Sequence, residues 1–428
     1  MITRLQVDGF KNLVDVDIHF GKFNVITGAN GVGKSNVFDA LGFIKSTTTL
    51  SLRESFSKIR GAENNWKNAS HNASQPINIT IDTDHQYYMD PDRPESKREI
   101  KYFYNLQITT VSERPELSSE SIRYSQDTSQ STQIIEDEII NEFKKQTRQD
   151  SFTDLYIIHN SFKFHDSVSH LYSILKRISI INLDLSKINQ DDNLNTSPYI
   201  SESGQHVPST IERLCKTLPS KQNASSEWVL TQLSNRLFEL TGEIKEIQVQ
   251  RHDPTEKIWI KVKDPDGTWH NARTLSDGTL RFLALTVLWL DPEATGVFCI
   301  EEPENGIHPS KIPALMRLLR DISKKPGCQV IVNTHSPLLV AQAPADDVVV
   351  ASSVSSMDRQ GNEFTKVKFS GLKGTWRAGK MPIIPISALS SFLDIARDRA
   401  DNEKYDRVVD RPDTQRLLHK MWELEEES

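Results

Sequence analysis

Apolar and polar residues alternate at period two over Ile2–Val7 and Val14–Phe20, which predicts two half-buried strands. An unbroken apolar run, Phe23 to Ile26, comes next. A glycine-rich turn then leads into an amphipathic stretch through Ile44, so strand, loop and helix follow in order. Alternation returns at Ile77–Ile81, Ile100–Ile108 and Ser121–Tyr124, and the turn-rich Asp90-Pro91-Asp92-Arg93-Pro94 separates the first two. From about Ser125 the composition shifts to Ser, Thr, Gln and Asp. Helical spacing then appears at Ile135, Ile139, Ile140 and Phe143, and at Val168, Leu171, Leu175 and Ile178. Ser125–Leu185 is therefore expected to be a helical insertion. Asn189–Pro208, too polar to bury much, reads as a mobile connection.

Ordered patterning resumes with a helix from Trp228 to Leu240, strands at Ile244–Gln250 and Ile258–Val262, and a turn at Asp264-Pro265-Asp266-Gly267. An apolar helix carrying Phe282, Leu283, Leu285, Thr286, Leu288 and Trp289 precedes two short apolar strands, Val297–Ile300 and Gln329–Val332. Near the C-terminus, Leu417, Leu418, Met421 and Trp422 mark one face of a last helix, expected to pack on its own domain.

Composition narrows the class. A chain of 428 residues with 25% charged residues can bury one large core or two ordinary ones. No apolar run approaches the ~18 residues needed to span a bilayer, and Met1 is followed at once by strand patterning, so the expectation is a cytoplasmic protein without membrane contact. Cys215, Cys299 and Cys328 lack metal-ligand spacing and read as structural thiols of a reducing compartment. The formal net charge of −7 removes any global electrostatic reason to bind nucleic acid. The most basic window, Lys366, Lys368, Lys373, Arg377 and Lys380 around Trp376, reads as a solvated face.

Chemistry enters at Gly28-Ala29-Asn30-Gly31-Val32-Gly33-Lys34-Ser35. In its strand-loop-helix setting this is a phosphate-binding loop. The glycines let backbone N–H groups turn inward at a helix N-terminus, whose partial positive charge favours an anion. Lys34 is suited to the β- and γ-phosphates and Ser35 to Mg²⁺. The strand Val297–Ile300 delivers Glu301 and Glu302, the first suited to the Mg²⁺ shell and the second to polarising an attacking water. Before it, Leu275-Ser276-Asp277-Gly278-Thr279 heads the apolar helix and makes a second anion site. After it, Asn333-Thr334-His335-Ser336-Pro337 places a histidine at a strand end, where it can donate to a γ-phosphate.

In this order, and with Gly9-Phe10-Lys11-Asn12-Leu13 at the start, these elements resemble the ABC-type ATPase heads of the SMC and RecF superfamily. The nearest branch is the one containing OLD-family nucleases and anti-phage ATPases. The resemblance implies an α/β P-loop NTPase with a mixed sheet, an antiparallel β subdomain and a helical insertion. Its domains would be an ATPase head from residues 1–124 and 227–376, the insertion and linker at 125–226, and a helical tail at 377–428. It implies ATP as the nucleotide, bound by Lys11, Asn12, Asn30, Gly31, Gly33, Lys34, Ser35 and Asn36. Ser35 and Glu301 would hold Mg²⁺, with Lys34, Glu302 and His335 catalytic. Ser276, Asp277, Gly278 and Thr279 would act in trans, so that two heads sandwich two nucleotides in a homodimer or higher oligomer, and Glu304–Pro309 would face the dimer.

Three positions depart from the pattern: Asp277 stands where transporters carry glycine, Glu301 replaces aspartate, and Gln75 is only the nearest candidate for the glutamine loop. Residues 125–226 are too few and irregular for a long coiled coil, and Val348–Ser428 reads as a strand or two and a helical tail, so a self-contained nuclease is not expected. Three functions stay open. One is the ATPase subunit of a defence pair of the PARIS or Septu type, controlling a separate nuclease or toxin; the others are a RecF-like clamp on DNA and a non-hydrolysing nucleotide-gated scaffold.

Overall fold

The computed structural model describes residues 1–61, 76–88, 97–111, 114–126, 133–134, 153, 166–193, 195–222, 226–252, 257–357 and 363–384. Among these, 1–178 with 345–384 form one compact unit and 179–344 another. The expected helix at Ile135–Phe143, the glutamine candidate Gln75 and the C-terminal helix lie outside the described residues.

In the first unit the alternating segments pair as expected. Strand β1 (Ile2–Asp8) lies antiparallel to β2 (Val16–His19), with Leu5 opposite Ile18. After β3 (Phe23–Thr27), α1 (Lys34–Thr47) and α2 (Leu52–Ser57) come β4 (Ile77–Tyr88), β5 (Lys97–Val111), β6 (Arg114–Gln126) and β7 (Gln133–Ile134). They complete an antiparallel sheet in the order β2-β1-β4-β5-β6-β7. Leu5, Val7, Ile79, Ile81, Tyr102, Tyr104 and Leu106 are buried, as period-two alternation requires. Strands β4 to β6 outrun the predicted segments because hairpin pairing continues into polar sequence, from Ile100 opposite Gln126 to Val111 opposite Arg114. Helix α2 is closed by a reciprocal capping box between Ser51 and Glu54.

Two expectations for the middle of the chain need correction. Helix α3 (Asp166–Lys176) forms where Leu171 and Leu175 place it, but Ile178 belongs to strand β8 (Ile178–Ile181). A cluster of β-branched residues prefers extended backbone to a further helical turn. The stretch Asn189–Pro208 is fastened rather than loose. After α4 (Leu185–Ile188), β9 (Asp192–Asn193) pairs antiparallel with Lys257 and Ile258. The buried Asp192 carboxylate accepts from Ser209 N and partners His206 Nδ1, both at 3.0 Å. Asn182 N and Asp184 N donate to the carbonyls of Glu202 and Ser203. Polar composition conceals this order because the segment is held by hydrogen bonds, which substitute for apolar burial.

The second unit continues through α5 (Val207–Gln222), α6 (Ser226–Thr241), β10 (Glu246–His252), β11 (Lys257–Lys263), β12 (Trp269–Asn271) and α7 (Asp277–Leu290). Then follow β13 (Gly296–Glu301), α8 (Ile312–Lys324), β14 (Cys328–Asn333) and α9 (Pro337–Val340). Strands β10, β11 and β12 form an antiparallel meander. Strands β13 and β14 are parallel, joined by the α8 crossover, and run in register from Gly296 opposite Cys328 to Glu301 opposite Asn333. Two strand ends thereby stop side by side.

The chain returns to the first unit with β15 (Val348–Met357), β16 (Glu363–Leu372) and β17 (Ile383–Ile384), in the order β17-β16-β15-β3. Strand β3 is parallel to β15 and buried along its whole length, while β15 and β16 are antiparallel. The basic window breaks up here. Arg377 is fully buried, donating to the carbonyls of His19 and Asp346 and to Asn24 Oδ1. Burial lowers its pKa to about 10. Among the described residues no helix is long and apolar enough to cross a membrane.

Candidate nucleotide site

The phosphate-loop half lies in the first unit. Strand β3 delivers the chain to Gly28 at φ +149°, where a Cβ would overlap the carbonyl of Ala351 on β15, so only glycine fits. Gly31 at φ +75° has open space on its Cβ side. Gly33, at φ +114°, caps α1 without a side-chain hydrogen bond, and its Cβ position coincides with the Asn12 carboxamide. Gly33 has no side chain to cap the first turn of α1, and a helix N-terminus opening on a glycine turn suits an anion. Lys34 is buried and its Nζ donates to Gly28 O and Ala29 O, both at 2.8 Å, which holds the ammonium over the loop. Asn30 and Gly31 are exposed at the tip.

Asn12 and Asn36 brace this loop from behind. Asn12 Nδ2 donates to Val32 O at 2.7 Å, and Asn36 Nδ2 donates to Asn12 Oδ1 at 2.8 Å. Lys11 sits on the flank at φ +52°, its Nζ donating to Asp39 at 2.6 Å and to Arg60 O at 2.9 Å. Arg60, which no sequence signal singled out, donates to Asp39 and to the Ser35 carbonyl.

The carboxylate half lies in the second unit. Glu301 is the last residue of β13 and stands opposite Asn333. Glu302 follows with φ +43°, a conformation that costs a non-glycine residue of order 1–3 kcal/mol and is held by its N–H donating to Asn333 O at 2.8 Å. That backbone turn swings the carboxylate to the end of β14. His335 Nδ1 lies 3.0 Å from Glu302 Oε1, and Asn305 Nδ2 donates to Glu302 Oε2 at 2.7 Å. The side chains of Glu302 and His335 are 40% and 39% exposed, so the pair is open to solvent. Thirty-three positions apart in sequence, they meet because β13 and β14 are parallel neighbours that end together.

The Leu-Ser-Asp-Gly-Thr element caps α7. Ser276 Oγ accepts from Thr279 N and lies 2.8 Å from Thr279 Oγ1, which donates to Glu243 Oε2 at 2.7 Å. Ser276 and Asp277 are exposed, whereas Thr279 is buried. A Cβ on Gly278 would lie 3.0 Å from Gly306 O, so the signature packs tightly on the loop that follows Glu302. Arg281, one turn along α7, belongs to none of the sequence motifs; burial lowers its pKa, opposed by Asp277, Glu304, Asp184 and Glu302 in that order.

Each unit, taken by itself, offers an oxygen donor of the kind Mg²⁺ takes. Ser35 supplies a hydroxyl in the first turn of α1 and Glu301 a carboxylate at a strand end, both hard oxygen donors. Among the described residues no cluster of three or more His, Cys, Asp or Glu could cage a metal, and Mg²⁺ needs none, since it relies on one or two protein oxygens together with phosphate and water.

Residues 23–341 match the family described as "AAA domain, putative AbiEii toxin, Type IV TA system". The chain belongs to this family. Its P-loop NTPase fold combines antiparallel and mixed sheets, and it is an ATP-hydrolysing enzyme. Two curated relatives are each 22% identical. An OLD nuclease of Thermus scotoductus aligns over 86% of this chain and 67% of its own length. An ATP/GTP phosphatase of Helicobacter pylori aligns over 78% of this chain and 85% of its own. An SMC head bound to the C-terminal winged-helix domain of ScpA superposes with TM-score 0.49 at 16% identity, over 86% of this chain and 98% of that one. The ATPase expected from the sequence motifs is thus a member of this AAA family.

Proposed function

We propose that this ATPase is a dimeric switch that hydrolyses ATP to ADP and phosphate and passes the resulting conformational change to a separate effector. The observation that carries this reading is the Glu302–His335 pair, a carboxylate on strained backbone held 3.0 Å from an imidazole, with both groups open to solvent. In this reading the phosphate loop grips the triphosphate through its amides and Lys34, with Asn12 and Asn36 keeping the loop in shape. Glu302 accepts a proton from the attacking water, and His335 donates to the γ-phosphate while orienting Glu302. Ser35 and Glu301 would hold Mg²⁺, which when bound would supply charge neutralisation at the phosphates. The exposed Ser276 and Asp277 at the start of α7 support a role in trans, completing the site of a second subunit.

The effector reading is a defence pair of the PARIS or Septu type, with a nuclease or toxin as partner and a cytoplasmic location. It draws support from the OLD nuclease among the relatives and from the net charge of −7. Burial of Arg377 removes one cation from the basic window and weakens the alternative of a DNA clamp.

The test is ATP turnover by the wild-type chain and Glu302→Gln, with and without double-stranded DNA, while mass in solution is followed. Turnover indifferent to DNA, with an ATP-dependent dimer trapped by the variant, supports the switch. Stimulation by DNA supports the clamp, and binding without turnover leaves only a nucleotide-gated scaffold. Mixing Lys34→Ala with Ser276→Arg subunits is expected to restore at most one complete site per dimer; no recovery in any mixture overturns the trans arrangement.

A further inference from the structure

The loops that carry Glu302 and His335 are joined a second time, on their buried side. Glu304 is 7% exposed and Thr334 fully buried, and Thr334 Oγ1 donates to Glu304 Oε1. The Thr334 hydroxyl also accepts from Ser336 N at 2.9 Å. With its oxygen so used, the single hydroxyl proton is directed to Glu304. Glu304 Oε2 has no hydrogen-bond partner, and burial pushes the carboxyl above its ordinary pKa. A buried carboxyl with one oxygen unpaired is an expensive way to fill space, and an apolar side chain of similar volume would pack there without that cost. Its contribution lies in geometry. Thr334 and Glu304 flank the functional pair, one residue before His335 and two after Glu302. The hydrogen bond therefore fixes the separation of the two loops that His335 and Glu302 must bridge.

We propose that Glu304 is a positioning residue of the ATPase site, acting through Thr334 to fix the loop that presents His335 to Glu302. This rests on the reading of Glu302 and His335 as the hydrolytic pair. Glu304 touches neither of them by a hydrogen bond; it sets where His335 stands. The outer link, from His335 to Glu302, can then open and close during turnover while the inner link holds both loops in register.

The test uses the full chain carrying Thr334→Val, Thr334→Ser, Glu304→Leu or Glu304→Gln. It reads kcat, KM for MgATP and amide exchange over residues 333–336. Thr334→Val and Glu304→Leu are expected to lower kcat roughly ten- to hundred-fold, the scale set by a small misplacement of a catalytic group, with KM within about twofold. Thr334→Ser keeps the hydroxyl and Glu304→Gln keeps the acceptor oxygen, so both are expected to retain turnover. Exchange should accelerate over 333–336 alone. Wild-type turnover by Thr334→Val, an equal loss in Glu304→Gln and Glu304→Leu, or faster exchange throughout the unit overturns the proposal. If the wild-type chain shows no turnover, the hydrolytic reading fails by itself, and exchange decides the strut: acceleration confined to 333–336 supports it and unchanged exchange overturns it.

Discussion

The phosphate-loop half and the carboxylate half reach functional geometry by different means. Around Gly28–Ser35 the backbone is the instrument: three glycines at positive φ, a helix N-terminus without a capping side chain, and a lysine folded over its own loop. Nearly all of this lies within eight consecutive residues. Around Glu302 the side chains are the instrument, and they come from loops thirty or more positions apart, joined by His335 to Glu302 and Thr334 to Glu304. A local site survives as long as its turn can form, whereas a site assembled across two strand ends depends on the register of β13 and β14.

The largest expected effect separates the halves by function. Glu302→Gln should reduce kcat roughly 10²- to 10⁴-fold, the range for loss of a general base, while nucleotide affinity is retained. Equal loss of affinity would erase the division of labour. Lys34→Ala should do the opposite, weakening ATP binding by about two orders of magnitude in a calorimetric titration, because charge-assisted contacts to phosphate disappear. Unchanged affinity in that variant removes the loop from the site.

Two smaller effects sharpen the contrast. Gly28→Ala forces a Cβ into the Ala351 carbonyl at positive φ, so the first unit should lose about 3 kcal/mol in denaturant unfolding. Asn12→Ala removes the brace behind Gly33 and should weaken nucleotide binding by about tenfold with little change in kcat once saturated.

Protons provide the mildest comparison, and the signs are opposite. His85, stacked on His170 in the first unit with ring centroids 4.8 Å apart, has its pKa lowered to about 4, mainly by desolvation and then by His170. Its stabilising contribution is complete above the ordinary value of 6.5 and is lost as pH falls through about 4. Glu304, with its carboxyl raised by burial, contributes stability below its ordinary value of 4.5 that is lost as pH rises through the raised folded value. Amide exchange across pH should show the first unit loosening on the acid side. His85→Gln should flatten that limb, and Glu304→Gln should flatten the opposite one in the second unit.

Legibility in the sequence follows the same division. Alternation at Ile2–Val7 and Ile100–Ile108, the phosphate loop and the two apolar strands ending at Glu301 and Asn333 could all be read because each is a local pattern with its own period or turn chemistry. The order of Asn189–Pro208 is not legible in the sequence because hydrogen bonds to Asp192, Glu202 and Ser203 leave no hydrophobic signature. Arg377 looked like part of a solvated face, yet lies in the interior, because its acceptors come from His19, Asn24 and Asp346, far away in the chain. No spacing rule announces Arg60 beside Asp39, or Glu304 beneath Thr334.

The sequence by itself determined that this chain has a phosphate loop, paired acids at a strand end and a histidine at another, since glycine torsions and strand periodicity act over a few residues. Tertiary structure alone decided that Asn12 would brace Gly33, that His335 would meet Glu302, and that Glu304 would be buried under both. Those relations depend on strand order and register, which arise when distant segments exclude water together, and a one-dimensional pattern does not carry that information.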